Sequence, residues 1–381
     1  MTITPFIEVN QAIVASGGES LNLCMQCGLC AGLCPWSTVE SPFSPRMLIK
    51  MGQLGMEGFE SDDILYACTT CNKCVINCPR GVKLIDIFKA MRAMIAETGA
   101  IPPILRSMLG SIHSNGNPWS DTREKRPNWY KDEPVNTFTP DMEYFLFVCC
   151  TSAYDVRSQK IAKAMVKILN AAGVSFGVIG EEESCCGESA RKVGAEDEFS
   201  NLAQKNVELF TSKGVKKIIT TSPHCYHTFK NEYPEFGSDF EVIHYTELLA
   251  DLLDQGKLKL PNHVAGKVAY HDPCYLGRHS NIYDAPRKLL QAIPGLEMVS
   301  LPREKKNSHC CGGGGGRLWM ETLPEQRFSD YRVVEAVNTG ADTLATSCPY
   351  CVTMLEDSRR STNKEDVIAV KDLAELIAEA L

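Results

Sequence analysis

The rhythm of apolar and polar positions changes near Tyr144. Before it, "SPRMLIKMGQLG" and "LIDIFKAMRAMIAETG" place apolar residues three and four apart, the spacing of amphipathic helices, and "TG" supplies a stop for the second. After it, short apolar runs alternate with helical stretches. "YFLFVCC", "VSFGVIG" and "VKKIITTS" predict strands, with "DVRSQKIAKAMVKILNAAG" an amphipathic helix between the first two. The order then begins again: "KVAYHDPC" reads as a strand, "APRKLLQAI" as a helix, "EMVSL" and "ADTLATSC" as strands, and "DLAELIAEAL" as a closing helix. Alternating strands and helices predict parallel sheets covered on both faces. Between the two regimes, residues 101–143 are rich in Pro, Gly, Asn and charge and read as an extended connector draped over the domains.

Cysteine positions support a repeat independently of hydropathy. Cys150 and Cys274 lie 124 positions apart, Cys185 and Cys310 125, Cys186 and Cys311 125, and Cys225 and Cys351 126. Near-constant offsets indicate an internal duplication. On this alignment Ser222 falls where the second copy has Cys348. The chain reads as an α+β multidomain protein: a mostly helical region over 1–100, the connector over 101–143, a first α/β domain over 144–258 and a second over 259–381.

Composition narrows the chemistry. With 39 Lys and Arg against 47 Asp and Glu, the net charge of −8 argues against nucleic acid as a partner. The basic stretches "TREKR" and "PREKK" read as solvated surface. No leader pattern opens the chain, and no apolar run approaches the ~20 residues of a membrane span. The expectation is a cytoplasmic protein, associated with a membrane only through a partner subunit. The 18 cysteines are abnormal in number. In a reducing compartment, cysteines so clustered point to metal ligands or redox chemistry.

"CMQCGLCAGLCP" and "CTTCNKCVINCP" both follow C-x2-C-x2-C-x3-C-P, the run that holds cubane [4Fe-4S] clusters in ferredoxins. In such pairs the fourth cysteine of each run serves the other cluster. The expected ligand sets are Cys24, Cys27, Cys30 and Cys78 for one, and Cys68, Cys71, Cys74 and Cys34 for the other. Structural zinc explains neither the x3 spacing nor the prolines.

The last group, Cys274, Cys310, Cys311, Cys348 and Cys351, has too many thiols for one metal ion and suits a multi-iron cluster with a bridging sulfur. Gly312–Gly316 lack the Gly-Lys-Ser/Thr of a phosphate loop and read as backbone brought close to a cluster. The middle group keeps Cys150, Cys185, Cys186 and Cys225. Three readings stay open for it: a cubane cluster, a non-cubane cluster with Ser222 or water as a ligand, or no metal. Four retained cysteines favour a bound cluster. Cys149 reads as a buried neighbour of the site before it reads as a substitute ligand. His224, His227, His271 and His309 lie beside these cysteines. Any of them could supply protons, His309 being named as a candidate catalytic residue, although bonding a cluster sulfur or a loop carbonyl is the commoner role.

These motifs resemble the CCG-domain family typified by the heterodisulfide reductases of methanogens, and the resemblance spans nearly the whole chain. Residues 1–100 look like the family's small ferredoxin-like subunit and 144–381 like its subunit with two CCG domains, related by a pseudo-twofold axis and fused here. The resemblance implies a non-cubane [4Fe-4S] cluster on Cys274, Cys310, Cys311, Cys348 and Cys351, at the site of disulfide cleavage. The function implied is an oxidoreductase subunit that carries electrons through two cubanes to that site, there to reduce a disulfide or similar two-electron acceptor. The alternative is a non-catalytic relay, as in similar subunits that serve flavin dehydrogenases, cytochrome b-linked complexes and anaerobic bifurcating or aromatic-ring-reducing assemblies. A redox-sensing scaffold gives no reason for four cluster motifs in series. No nucleotide-binding glycine fingerprint is visible, so flavin or NAD is expected on a partner, either a flavoprotein or a membrane cytochrome b-type subunit.

Overall fold

The computed structural model describes residues 6–56, 58–59 and 63–381. Met1–Pro5, part of the stretch in which no leader pattern is seen, lie outside them. Two compact units emerge. One comprises Met1–Leu109, Ser189–Phe199 and Gly312–Phe328, and the other Gly110–Glu188, Ser200–Cys311 and Ser329–Leu381.

The first unit is helical, as its apolar spacing predicts. Helix α1 (Pro45–Leu54) begins at Ser44, whose hydroxyl accepts the Met47 N–H, and stops at Gly55 in the left-handed region. Helix α2 (Leu84–Glu97) buries Leu84, Ile87, Phe88, Met91 and Ile95 along one face, and Gly99 at φ 75° turns the chain after it. Arg92 lies on that same face, fully buried. Its guanidinium donates to the carbonyls of Leu65 (2.7 Å), Cys68 (2.9 Å), Lys192 (2.6 Å) and Gly315 (3.1 Å). One side chain thereby satisfies backbone from three separate segments of this unit.

The stretch read as an extended connector is not extended throughout. It holds helix α3 (Pro103–Asn115) and a 3-10 segment (Arg123–Tyr130). Pro103 is pre-organised for a first helical turn, and Leu105, Met108 and Ile112 recur at helical spacing and are buried. The prolines and glycines mask that periodicity.

The second unit contains two four-stranded parallel sheets of identical topology. Strands β1 (Tyr144–Phe147), β2 (Phe176–Gly177), β3 (Lys217–Thr220) and β4 (Glu241–His244) lie in the order β2-β1-β3-β4. Strands β5 (Gly266–Tyr270), β6 (Leu296–Val299), β7 (Thr343–Thr346) and β8 (Ala369–Asp372) lie in the order β6-β5-β7-β8. The edge strands β4 and β8 escape a reading of the sequence. Each is only four residues long and runs straight into a helix.

Helices α4 (Gln159–Ala171), α5 (Pro223–Asn231) and α6 (Tyr245–Asp254) belong to the first half, and α7 (Asp284–Ala292), α8 (Pro349–Ser361) and α9 (Leu373–Glu379) to the second. The halves pack reciprocally, α4 against α9 and α6 against α7. One continuous core results, with Ile161, Met165, Leu249, Leu289, Leu290, Leu376 and Ile377 among its members. At roughly 1.5–3 kcal/mol for each large apolar side chain buried, this seam fixes the geometry of what lies beyond the strand ends.

In each sheet the central pair, β1 with β3 and β5 with β7, is where the connections diverge. Ligands of open parallel sheets bind outside the carboxyl ends of the strands at such a switch point. Cys149 and Cys150 follow β1, Ser222 follows β3, Cys274 follows β5 and Cys348 follows β7.

Candidate metal centres

The two N-terminal cysteine runs fold alike. Gln26 and Gly28 in the first, and Thr70 and Asn72 in the second, take positive φ at matching positions. A left-handed residue before and after the second cysteine curls each loop so that its thiols converge. The Cys24 and Cys78 sulfurs accept backbone N–H groups from Gln26 and Val82, each at 3.4 Å. One cavity is lined by Cys24, Cys27, Cys30, Cys74 and Cys78. Cys74 is half-buried, and desolvation raises its thiol well above the ordinary range. Cys68, Cys71 and Cys34 raise it further, with a lesser part from Cys30. Cys34 thus lies near the second run's thiols and Cys78 near the first's. Cys27 is exposed, whereas Cys68 and Cys71 are buried.

Gly314 and Gly315 approach the second run. An added Cβ would lie 2.3 Å from the Thr69 carbonyl oxygen at Gly314 and 2.2 Å from that of Cys68 at Gly315. The glycine run is therefore a close backbone-to-backbone contact with Cys68–Thr70, and not a phosphate cradle.

In the second half all five thiols are brought together and almost sealed from solvent, none more than 6 % exposed. Cys351 and Cys311 sulfurs are 3.3 Å apart, and Cys274 contacts Cys310. His271 joins them, its ring nitrogen and the Cys311 and Cys351 sulfurs all lying within 4.8 Å of one another. Its Nδ1 accepts from Arg332 Nε at 3.1 Å, which leaves Nε2 as the protonated nitrogen. Burial, and then Arg332, hold His271 neutral, well below the ordinary histidine range. Nε2 is buried without a hydrogen-bond partner in the protein. A buried N–H beside two thiols and lacking an acceptor fits a cluster sulfur at that position.

His224 reaches this site from the first half. Its Nδ1 lies 3.0 Å from Glu188 Oε1, and the ring also interacts with Cys348. Burial pushes His224 down, but Glu188 and Cys348 outweigh it and raise the imidazole to about 10. Burial likewise pushes the Cys348 thiol up, yet Cys351 and His224 bring it down to about 5. The His224 ring stacks on Tyr275 at 3.9 Å, and Tyr275 on His279 at 4.1 Å. His227 bonds Asn231 and also meets Tyr275 and His279 edge-on, its ring 5.5 and 5.1 Å from theirs. His309 is buried, with its ring 6.5 Å from Tyr331.

The first half repeats the four-thiol arrangement. Cys186 and Cys225 sulfurs are 3.5 Å apart, and Cys150 contacts Cys185. Hydrogen bonds from Cys185 and then Cys225 lower Cys186 to about 7. Arg126 Nη1 donates to Cys150 Sγ at 3.3 Å, and its Nη2 pairs with Glu183 Oε2 at 2.8 Å. Reading "TREKR" as solvated surface is corrected here, because Arg126 is only 1 % exposed. A buried guanidinium requires a carboxylate, and Glu183 lies too far along the chain for local charge pattern to reveal it. Glu188 and Tyr275 escape sequence reasoning as well, since contacts across the seam leave no trace in spacing. Thiolate-rich, sealed pockets with a compensating cation and unsatisfied buried donors suit iron–sulfur clusters.

Known proteins agree with this organisation. The model of the CCG cysteine-rich domain matches residues 144–230 and again 268–356, and that of the 4Fe-4S dicluster domain matches residues 20–82. The chain is 38 % identical over 332 residues to the probable iron-sulfur-binding oxidoreductase FadF of Bacillus subtilis, covering 84 % of this chain and 47 % of that protein. It is 36 % identical to the EtfAB:quinone oxidoreductase of Syntrophomonas wolfei, again over 84 % of this chain and 47 % of the relative. The chain therefore spans about half the length of these two relatives. Against the D subunit of the dihydromethanophenazine:CoB–CoM heterodisulfide reductase of Methanosarcina mazei, identity is 33 %, covering 99 % of this chain and 98 % of that relative. The chain belongs to the CCG-domain iron–sulfur oxidoreductases of the heterodisulfide reductase D and FadF type, with one dicluster domain followed by two cysteine-rich domains. No helix among the described residues is long and apolar enough to cross a membrane.

Proposed function

We propose that this chain is the subunit of a redox complex at which a disulfide, or a comparable two-electron acceptor, is reduced. In this reading Cys24, Cys27, Cys30 and Cys78 hold one cubane cluster, and Cys68, Cys71, Cys74 and Cys34 the other. Cys274, Cys310, Cys311, Cys348 and Cys351 hold the non-cubane cluster at the acceptor site, and Cys150, Cys185, Cys186 and Cys225 hold a further one. Clusters so held supply electrons one at a time, and the five-thiol site adds iron able to bind sulfur.

Electrons enter from a partner at the first cysteine run. Exposed Cys27 supports this, together with the exposed apolar side chains Leu23, Met25, Leu29 and Ile76 around it, a surface suited to a docked redox protein. At the other end, RS–SR′ takes up two electrons and two protons to give RSH and R′SH. His224, backed by Glu188 and interacting with Cys348, holds a proton at the acceptor site, and His271 orients its Nε2–H toward the same thiols. The complete, sealed five-thiol set with His224 against Cys348 is the observation that carries the reading.

A pure relay is the second reading. It is favoured by the higher identity to FadF and to the EtfAB:quinone oxidoreductase, each about twice as long as the matched region. EPR of the oxidised, anaerobically purified protein, with and without added thiols, separates the two. A thiol-dependent paramagnetic signal that disappears in Cys311→Ala supports reduction at this site. No such signal, at full iron content, makes the chain a relay.

A further inference from the structure

The missing cysteine at Ser222 has a counterpart directly across the sheet. Strands β1 and β3 pair Phe145 with Ile218, Leu146 with Ile219 and Phe147 with Thr220. Continued two residues beyond the strands, that register sets Cys149 opposite Ser222. The chain holds it there, with the Cys149 N–H donating to Thr221 Oγ1 at 3.3 Å. In the second half β5 and β7 pair Tyr270 with Ala345, and the same continuation sets Pro273 opposite Cys348. The second half thus carries proline after its first central strand and cysteine after its second. The first half carries cysteine after its first central strand and serine after its second.

The thiol contacts follow this exchange. In the second half Cys348 interacts with Cys351, whose sulfur lies 3.3 Å from that of Cys311. In the first half Cys149 interacts with Cys225, the counterpart of Cys351, whose sulfur lies 3.5 Å from that of Cys186. Cys149 is 4 % exposed, buried with the other thiols of this half. Ser222 is fully buried and its hydroxyl has no hydrogen-bond partner, as expected beside a group that only the assembled site contains.

We infer that Cys149 replaces the cysteine lost at Ser222, so that the first half is a five-thiolate multi-iron site of Cys149, Cys150, Cys185, Cys186 and Cys225. The inference rests on the reading that this half binds a cluster, and it deepens that reading by naming the fifth ligand. It also accounts for the buried Arg126 guanidinium at Cys150, which offsets part of the charge that five thiolates bring into a sealed pocket.

Iron and acid-labile sulfide per chain, with Mössbauer spectra, test it on the anaerobically purified full chain. Cys149→Ala is expected to lose on the order of four iron atoms or to change the spectrum of one cluster, while Ser222→Ala leaves both unchanged. The double variant Cys149→Gly with Ser222→Cys moves the thiol back across the sheet and is expected to restore iron content and spectrum. It also distinguishes loss of a ligand from loss of folding. Unchanged iron and spectrum in Cys149→Ala would overturn the inference, as would loss of the cluster in Ser222→Ala alone. Cys150→Ala serves as the control. If it too retains wild-type iron and spectrum, the first half binds no cluster, and the underlying reading fails separately.

Discussion

His224, at the start of α5 in the first half, stacks on Tyr275 of the second half at 3.9 Å and interacts electrostatically with Cys348 at the N-terminus of α8. The duplication places Tyr350 at the position equivalent to His224, and the two rings lie 4.6 Å apart. An aromatic residue from each half thus meets its counterpart at the seam, but only one of them carries an N–H donor toward a thiol. The asymmetry matches the thiols, since the complete motif is the one that receives the histidine.

Substituting this histidine should separate cluster binding from turnover. His224→Gln keeps a donor and removes the cation, while His224→Ala removes both. Because outer-shell partners of metal ligands are typically worth 10–100-fold, reductive turnover should fall by roughly that factor in His224→Ala and by less in His224→Gln. Iron content should be unchanged in both. Loss of iron in both variants would show that the residue only holds the fold.

Backbone crowding at the second cysteine run gives a stability test. Gly314→Ala forces a Cβ to within 2.3 Å of the Thr69 carbonyl, which neither backbone can yield without moving. Arg92→Leu strips the donors from four buried carbonyls. Each variant is expected to cost about 2–3 kcal/mol or more, read as an earlier apparent thermal midpoint with earlier bleaching of cluster absorbance. Gly110→Ala, in α3 with nothing near the added methyl, should be neutral or stabilising by up to ~1 kcal/mol.

The Arg126–Cys150 contact bears on redox potential. Beside the cluster proposed for the first half, this guanidinium favours the more negative, reduced state. Arg126→Met should therefore lower the midpoint potential of the first half's centre, by an amount on the order of tens of millivolts, while leaving the other centres in place. It also strands Glu183 in the interior, so a loss of roughly 3–5 kcal/mol in stability should accompany it. A potentiometric EPR titration checks the first effect. A rise in potential would contradict this assignment of charge.

Which features can be read in the sequence follows from physical locality. Helices α1 and α2, the central strands and the duplication are legible, because periodicity and cysteine spacing are properties of short segments. The cysteine groups are legible for the same reason. Arg126 and Glu188 are not, since each becomes significant only when a distant segment is folded against it. Cys149 is visible as a residue, but its position opposite Ser222 depends on the register of β1 against β3, which hydropathy does not specify. Helix α3 is hidden by the two prolines at its start, residues that a helix tolerates in its first turn and that also mark loops.

Asp372 allows a pH test at a residue outside the cysteine sets, although Cys348 is near enough to add to the rise in its pKa. It caps α9 by accepting the Ala374 N–H, and the Tyr245 hydroxyl from the other half donates to it at 2.6 Å. Burial raises its carboxyl to about 8, against the lowering effect of the Tyr245 and Ala374 hydrogen bonds, and nearby Glu375 raises it further. The folded state thus keeps a proton that the unfolded chain, with an ordinary pKa near ~3.9, has released. Between those two values the native state binds more protons than the unfolded one. The stabilising contribution of this group is therefore complete at low pH and is lost as pH rises through about 8. Asp372→Asn keeps the cap and cannot ionise. Wild type should lose stability from pH 6 to pH 9 relative to Asp372→Asn, whose apparent thermal midpoint should be flatter across that range. Equal slopes for the two proteins would mean that Asp372 is already ionised in the seam, with Tyr245 and Ala374 sufficient to hold its charge.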